Sequence, residues 1–299
     1  YITAENQDMR GVPSEYIKNY ETKYDWRTTY ANSDVIGLVT AANTSAATRA
    51  SSGTDYGVWA VYNPRDYESW NAGPTHPQTP VADGASIIPS PSGSHFGGPG
   101  ETFTGNMDKE FGPFYTYFDT GTDINSMRAD AEKYTTTDTS SPYDLNNFYD
   151  TVNLKNYVPT SGRGSVVGDI RLGDGSSMGH ATIILSAFDP VAYTTDPIGQ
   201  EYQRRAAGYN YWVTPSANGT FSLADVRPGT YRVTVINPGS YREGTFDNIV
   251  VTAGNTANVG NLTWTPDISG KTTWQIGTFD RTAGEFRDGA NYNNWIDTF

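Results

Sequence analysis

A row of four charges opens the chemistry. In ETKYDWRTTY (21–30), strand-type alternation puts Thr22, Tyr24, Trp26, Thr28 and Tyr30 on one side and Glu21, Lys23, Asp25, Arg27 and Thr29 on the other. Threonine, tyrosine and tryptophan favour a pleated, half-buried surface. Two cations and two anions along one face can be a solvated row of cross-strand pairs, the usual meaning of such rows. They can also be the floor of a groove that handles a charged substrate. A second chemical group, His95, lies in SGSHFGGPG, a Gly/Ser/Pro loop in which backbone can approach a ligand closely. By itself His95 reads more readily as an ordinary surface histidine than as a catalytic group.

Other chemistry finds little support. Nothing near residues 90–95 has the form of a nucleophile elbow, and no spacing singles out two carboxylates for glycoside hydrolysis. GDGSS (173–177) is a hairpin turn, because it lacks the twelve-residue calcium-loop pattern. His76, in GPTHPQ, reads as part of a loop; His180 reads as a structural residue opening a strand. Cysteine is absent, which excludes disulfides and thiol chemistry.

The elements that would carry these groups are strands. The 299 residues include 31 glycines, 17 prolines and 21 tyrosines, with 13% aromatic and only 18% charged residues. That mixture suits an all-β protein rich in turns, long enough for two domains and part of a third. No apolar run approaches a membrane span of ~20 residues, so the expectation is a soluble chain with no membrane partner. A net charge of −13 argues against nucleic acid. It also means that an acidic ligand would need a local cluster of cations, and Lys23 with Arg27 is one candidate. Low lysine and sequons at Asn43, Asn218 and Asn261 point outside the cell. A start at Tyr1 without a signal-like segment suggests a processed product or a fragment.

Residues 1–158 are irregular. Strands are predicted at 35–43, at 56–64 and at 110–120, where Tyr56, Val58, Ala60 and Tyr62 alternate with Gly57, Trp59 and Val61 in the second. Residues 70–101 show almost no periodicity, and 124–134 is the only predicted helix, capped by Asp123 or Asn125. From Ser161 the texture becomes regular. Seven short strands, at 164–172, 180–188, 209–216, 219–226, 229–237, 246–254 and 258–266, are separated by turn signals such as GDG, ANG and RPG. They predict a small β-sandwich of immunoglobulin or fibronectin type. Residues 267–299 are too few for a core of their own.

The block TWQIGTFDRTAGEFR (273–287) resembles the junction between the second and third domains of rhamnogalacturonan lyases, polysaccharide lyase family four. Upstream blocks agree in order: ETKYDWR, YGVWAVYNPRDY with NAGP, SGSHFGGPGE, GPFYTYF, a short AE-containing helix, RGSVVGDI and YWVTPSANGTFSLADVRPGTYRVTV. The resemblance implies three parts. Residues 1–158 would be the C-terminal part of a large aldose-epimerase-like catalytic β-sandwich, 159–266 a fibronectin type III-like sandwich, and 267–299 the start of a jelly-roll carbohydrate-binding domain.

It implies a secreted enzyme that cleaves the rhamnose-(1→4)-galacturonate bond of pectin's rhamnogalacturonan by β-elimination, with no cofactor or metal. The family's lysine falls on Lys23 and its histidine on His95, with Arg27 and Tyr24 as substrate contacts. Either Lys23 is the base and His95 its acid or electrostatic partner, or the roles are exchanged. Where fungal members have tyrosines before the histidine, this chain has Ile87, Ile88 and Pro89. A non-catalytic extracellular module that binds glycan or builds a surface assembly is the alternative.

Overall fold

The computed structural model describes residues 2–4, 35–40, 55–62, 81–83, 86–88, 114–121, 124–136, 138–187, 209–238, 240, 242–266 and 273–277. The first unit is an antiparallel sheet in the order β1 (Ile2–Ala4), β2 (Val35–Thr40), β3 (Asp55–Tyr62) and β6 (Phe114–Gly121). Register places Val35 opposite Val61, Val61 opposite Tyr115, Trp59 opposite Tyr117 and Gly57 opposite Asp119. Because strand side chains alternate, these residues share one face. Val35, Trp59 and Val61 are fully buried there, packed with Met127 and Ala131 of helix α1 (Ile124–Glu132). The opposite face of β6 carries Thr116, Phe118 and Thr120, all exposed.

Arg128 shows what it takes to keep a cation under such a helix. It is buried, and it donates from Nη2 to the carbonyl of Val35 (3.2 Å) and from Nε to Glu132 (2.7 Å). A buried guanidinium is tolerable only when its protons are taken up in this way. Gly57 is required for space. A Cβ there would lie 2.3 Å from the Asp119 carboxylate, 2.5 Å from the Trp59 indole nitrogen and 2.8 Å from Met127.

Two sequence expectations need correction in this half. Helix 124–134 is present as α1 followed by a 3₁₀ turn at Lys133–Thr135, but a second helix, α2 (Leu145–Val152), follows it. Asp144 caps α2 by accepting from the amide of Asn146 (3.0 Å), and Asn153 ends it in the left-handed region at φ 55°. The stretch 70–101 is not without structure either. It holds a short hairpin, β4 (Val81–Asp83) with β5 (Ser86–Ile88), pairing Val81 with Ile88 and Ala82 with Ile87. Three-residue strands are too short for alternation to show.

All seven strands expected after Ser161 are present: β7 (Gly164–Leu172), β8 (Thr182–Ala187), β9 (Asn210–Val213), β10 (Thr220–Val226), β11 (Gly229–Ile236), β12 (Gly244–Val251) and β13 (Thr256–Trp264). They form two layers, β10-β7-β13 and β12-β11-β8-β9, around one core that includes Val166, Ile170, Leu185, Tyr211 and Val233. The first and last strands pair in parallel, Val166 beside Ala257 and Ile170 beside Leu262, which brackets the unit. As the alternation in GTYRVTVIN predicts, Tyr231, Val233 and Val235 enter the core. Thr234 and Ile236, on the other side of β11, are buried as well, together with Ile184 and Ser186 of β8. GDGSS is the β7–β8 turn, with Asp174 accepting from the amide (2.9 Å) and hydroxyl (2.6 Å) of Ser176. The fold is all-β in its framework, with a fibronectin-like sandwich as its regular part.

Candidate functional site

The chemistry of the described residues gathers where α1 and α2 meet the first sheet. Alternation along β6 turns Tyr115, Tyr117 and Asp119 toward the helices. Asp119 accepts from the indole N–H of Trp59 (2.9 Å), and burial pushes its carboxyl above the usual range despite that bond. Asp130 of α1 accepts from both Lys133 and the Tyr117 hydroxyl. Those two hydrogen bonds, the lysine's foremost, hold Asp130 below the usual carboxylate range. The same contacts push the Tyr117 phenol and the Lys133 ammonium up, the bond to Asp130 being the main cause in each. A phenol and an amine shifted in that direction stay protonated at neutral pH. They can donate and orient but cannot take a proton.

Around this polar knot lies a row of rings. Tyr134 stacks on Tyr115 (centroids 6.1 Å, interplanar angle 22°) and contacts Tyr117 (5.1 Å) and Tyr143 (5.3 Å). Phe148 and Tyr149 of α2 each meet Tyr115 at 5.9 Å. Tyr143 and Phe148 remain 41% and 53% exposed, large values for aromatic rings otherwise locked by neighbours. Rigid rings with polar tips suit ligand contact, since they offer apolar faces at small entropic cost.

The residues singled out for catalysis and substrate contact, Lys23, Tyr24, Arg27 and His95, lie outside the described residues, as do His76 and the sequon at Asn43. Ile87 and Ile88 fall on β5. His180 is exposed in the turn before β8 rather than opening the strand, which begins at Thr182. Asn218 and Asn261 are both exposed; Asn218 accepts from the Thr220 hydroxyl at 2.9 Å within the turn of its own sequon. No group of His, Asp or Glu suited to hold a metal occurs among the described residues. The ring cluster escaped sequence reading because α2 did. Its signal was present: Asp144 as a cap, then Leu145, Phe148, Tyr149 and Val152 at helical spacing.

Comparison with known proteins places the chain. Residues 174–259 match the family described as polysaccharide lyase family 4, domain II, which covers most of the sandwich. The chain is 32% identical over 283 residues to "Rhamnogalacturonate lyase B" of Emericella nidulans, covering 92% of this chain and 39% of that protein. It is also 32% identical over 282 residues to "Probable rhamnogalacturonate lyase B" of Aspergillus terreus, covering 91% of this chain and 38% of that protein. A "Probable rhamnogalacturonate lyase C" of Emericella nidulans is 31% identical over 284 residues, 24% of its length. The chain thus spans about two fifths or less of these relatives. With the domain II match in the sandwich and the relatives' likeness running through the first sheet as well, the chain is similar to polysaccharide lyase family 4 in both of its units.

Proposed function

We propose that the protein is a secreted rhamnogalacturonan lyase, with Lys23 and His95 as its reacting pair and Arg27 and Tyr24 as substrate contacts. The observation that supports this reading is the 283-residue likeness to "Rhamnogalacturonate lyase B", which is not confined to the sandwich. Residues 1–158 then belong to a catalytic β-sandwich, 159–266 to domain II and 267–299 to the opening of a jelly-roll. The pairing of β7 with β13, the first and last strands of the sandwich, supports the middle boundaries.

The reaction removes the hydrogen alpha to the galacturonate carboxylate. The freed electron pair forms a carbon–carbon double bond as the bond to the rhamnose oxygen breaks, and that oxygen leaves with a proton. A base must act on a weak carbon acid while the growing charge on the carboxylate is neutralised. Lysine near its ordinary pKa of ~10.4 is protonated, so Lys23 needs desolvation or the nearby cation Arg27 to serve as base, whereas Asp25 works in the opposite direction. If Lys23 keeps its proton it clamps the carboxylate and His95 takes the hydrogen. On a protein of net charge −13, these local cations are what an acidic glycan would meet. Among the described residues no helix is long and apolar enough to cross a membrane. Asn43, Asn218 and Asn261 are the proposed glycosylation positions.

The test mixes the protein with rhamnogalacturonan and follows the ultraviolet absorbance of the unsaturated uronate product. Absorbance should grow, and Lys23→Ala should abolish it while leaving the circular dichroism unchanged. Product formation by that variant removes Lys23 from the mechanism. Glycan binding with no product from the unmodified protein overturns the lyase reading in favour of a non-catalytic module.

A further inference from the structure

The segment between α2 and β7 is tied down from both ends by arginines. Arg163, at its end, is only 5% exposed. Its guanidinium donates from Nε to the carbonyl of Val158 (2.7 Å) and from Nη1 across to the carbonyl of Asp225 in β10 (3.1 Å), and lies over the Tyr157 ring at 5.2 Å. Arg227, in the β10–β11 turn, reaches the other way. It donates from Nη2 to the carbonyl of Asn156 (3.0 Å) and lies over the Tyr209 ring at 4.7 Å. Tyr211 and Tyr231 fix Arg227's backbone, one hydroxyl accepting from its amide (3.2 Å) and the other donating to its carbonyl (2.8 Å). One clamp is rooted in the connecting segment and grips the sandwich; the other is rooted in the sandwich and grips the segment.

The segment is held equally firmly on its other side. Asp150 of α2 accepts from the Tyr157 hydroxyl (3.2 Å) and from the amide of Thr160 (2.9 Å). Tyr157 meets Tyr149 at 5.9 Å, and Tyr149 meets Tyr115 of β6 at the same distance. Contacts therefore run unbroken from the first sheet through α2 to the sandwich. Flexible tethers have none of these features; they are Gly/Ser-rich and leave their carbonyls to water.

We propose that this arginine–tyrosine joint holds the sandwich and the first sheet in one fixed orientation, making domain II a positioning element rather than a freely tethered module. The inference stands whether or not the protein is a lyase. The absence of cysteine makes the test clean. Cysteines introduced by Thr116→Cys on β6 and Ser222→Cys on β10, both exposed positions, carry spin labels on the 299-residue chain. Pulsed electron resonance should give one narrow distance peak. Adding Arg163→Gln and Arg227→Gln together should abolish that peak in favour of a broad distribution, with circular dichroism unchanged. Arg163→Lys, which keeps the charge but loses the fork, should broaden it in part. Should the buried Arg163→Gln change prevent folding, Arg227→Gln alone serves, and it too should broaden the peak. A broad distribution in the labelled parent, or an unchanged narrow peak in folded Arg227→Gln and double variants, overturns the proposal.

Discussion

The sandwich and the first sheet solve the same problem with different materials. In the sandwich, side chains from two facing layers, most of them aliphatic, form one core, while Thr234, Ser186 and Asn210 are buried as well in the β12-β11-β8-β9 sheet. Among the described residues of the first unit, one face of a four-stranded sheet is covered by α1, with α2 beside it. Its buried layer mixes Trp59 and Val61 with a buried arginine, a hydrogen-bonded carboxylate and half-buried tyrosines. The sandwich owes its order to non-directional burial, roughly 25 cal/mol per Å² of apolar surface. The first unit depends on directional pairs, each of which fails if one partner is lost.

Trp59→Ala should have the largest effect on stability. It removes a fully buried ring and leaves Asp119 without its donor, costing about 3–5 kcal/mol. Denaturant unfolding should show the loss in the first unit. Leu185→Ala in the sandwich should cost a comparable or smaller amount, about 2–5 kcal/mol, by leaving a cavity. If the loss at Leu185 greatly exceeded that at Trp59, directional pairs would not be what holds the first unit. Gly57→Ala should cost about 1–3 kcal/mol by overpacking, because the added methyl meets the Trp59–Asp119 pair. A neutral outcome would mean the pair yields freely.

Acid titration sharpens the contrast further. The Asp130 carboxyl lies low in the folded state, so its stabilising effect is full above the unfolded value near 4 and is lost as pH falls through the folded value. Asp119 lies high, so its effect is full below about 4 and is lost as pH rises through its raised value. Denaturation midpoints across this range should therefore fall less on acidification in Asp130→Asn, and fall less on alkalinisation in Asp119→Asn, than in the parent. The smallest change is expected at the sandwich surface. The Arg232–Asp247 pair joins β11 to β12 through Nη2 and a carboxylate oxygen at 2.8 Å, but Asp247 is 47% exposed. Arg232→Ala should cost about 0.2–1 kcal/mol, less still in high salt.

Alternation of one residue in two is a local property, and the seven sandwich strands could be read because one face of each enters a common core. Strands β2, β3 and β6 were legible for the same reason, and the order of the familiar blocks carried the family. Helix α2 carries a legible pattern over only eight residues, too short to stand out among polar neighbours. The three-residue strands of the 81–88 hairpin carry no usable period at all.

The linear text therefore determined the all-β framework, the seven sandwich strands and the resemblance to the family. Only the tertiary structure decided that Gly57 must be bare, that Tyr117 and Lys133 share one carboxylate, and that Arg163 and Arg227 lock a joint. The reason is range. Periodicity is set by each residue's near neighbours, whereas Trp59 finds Asp119 and Arg163 finds Asp225 some sixty positions away, by contacts that exist only once the chain has folded.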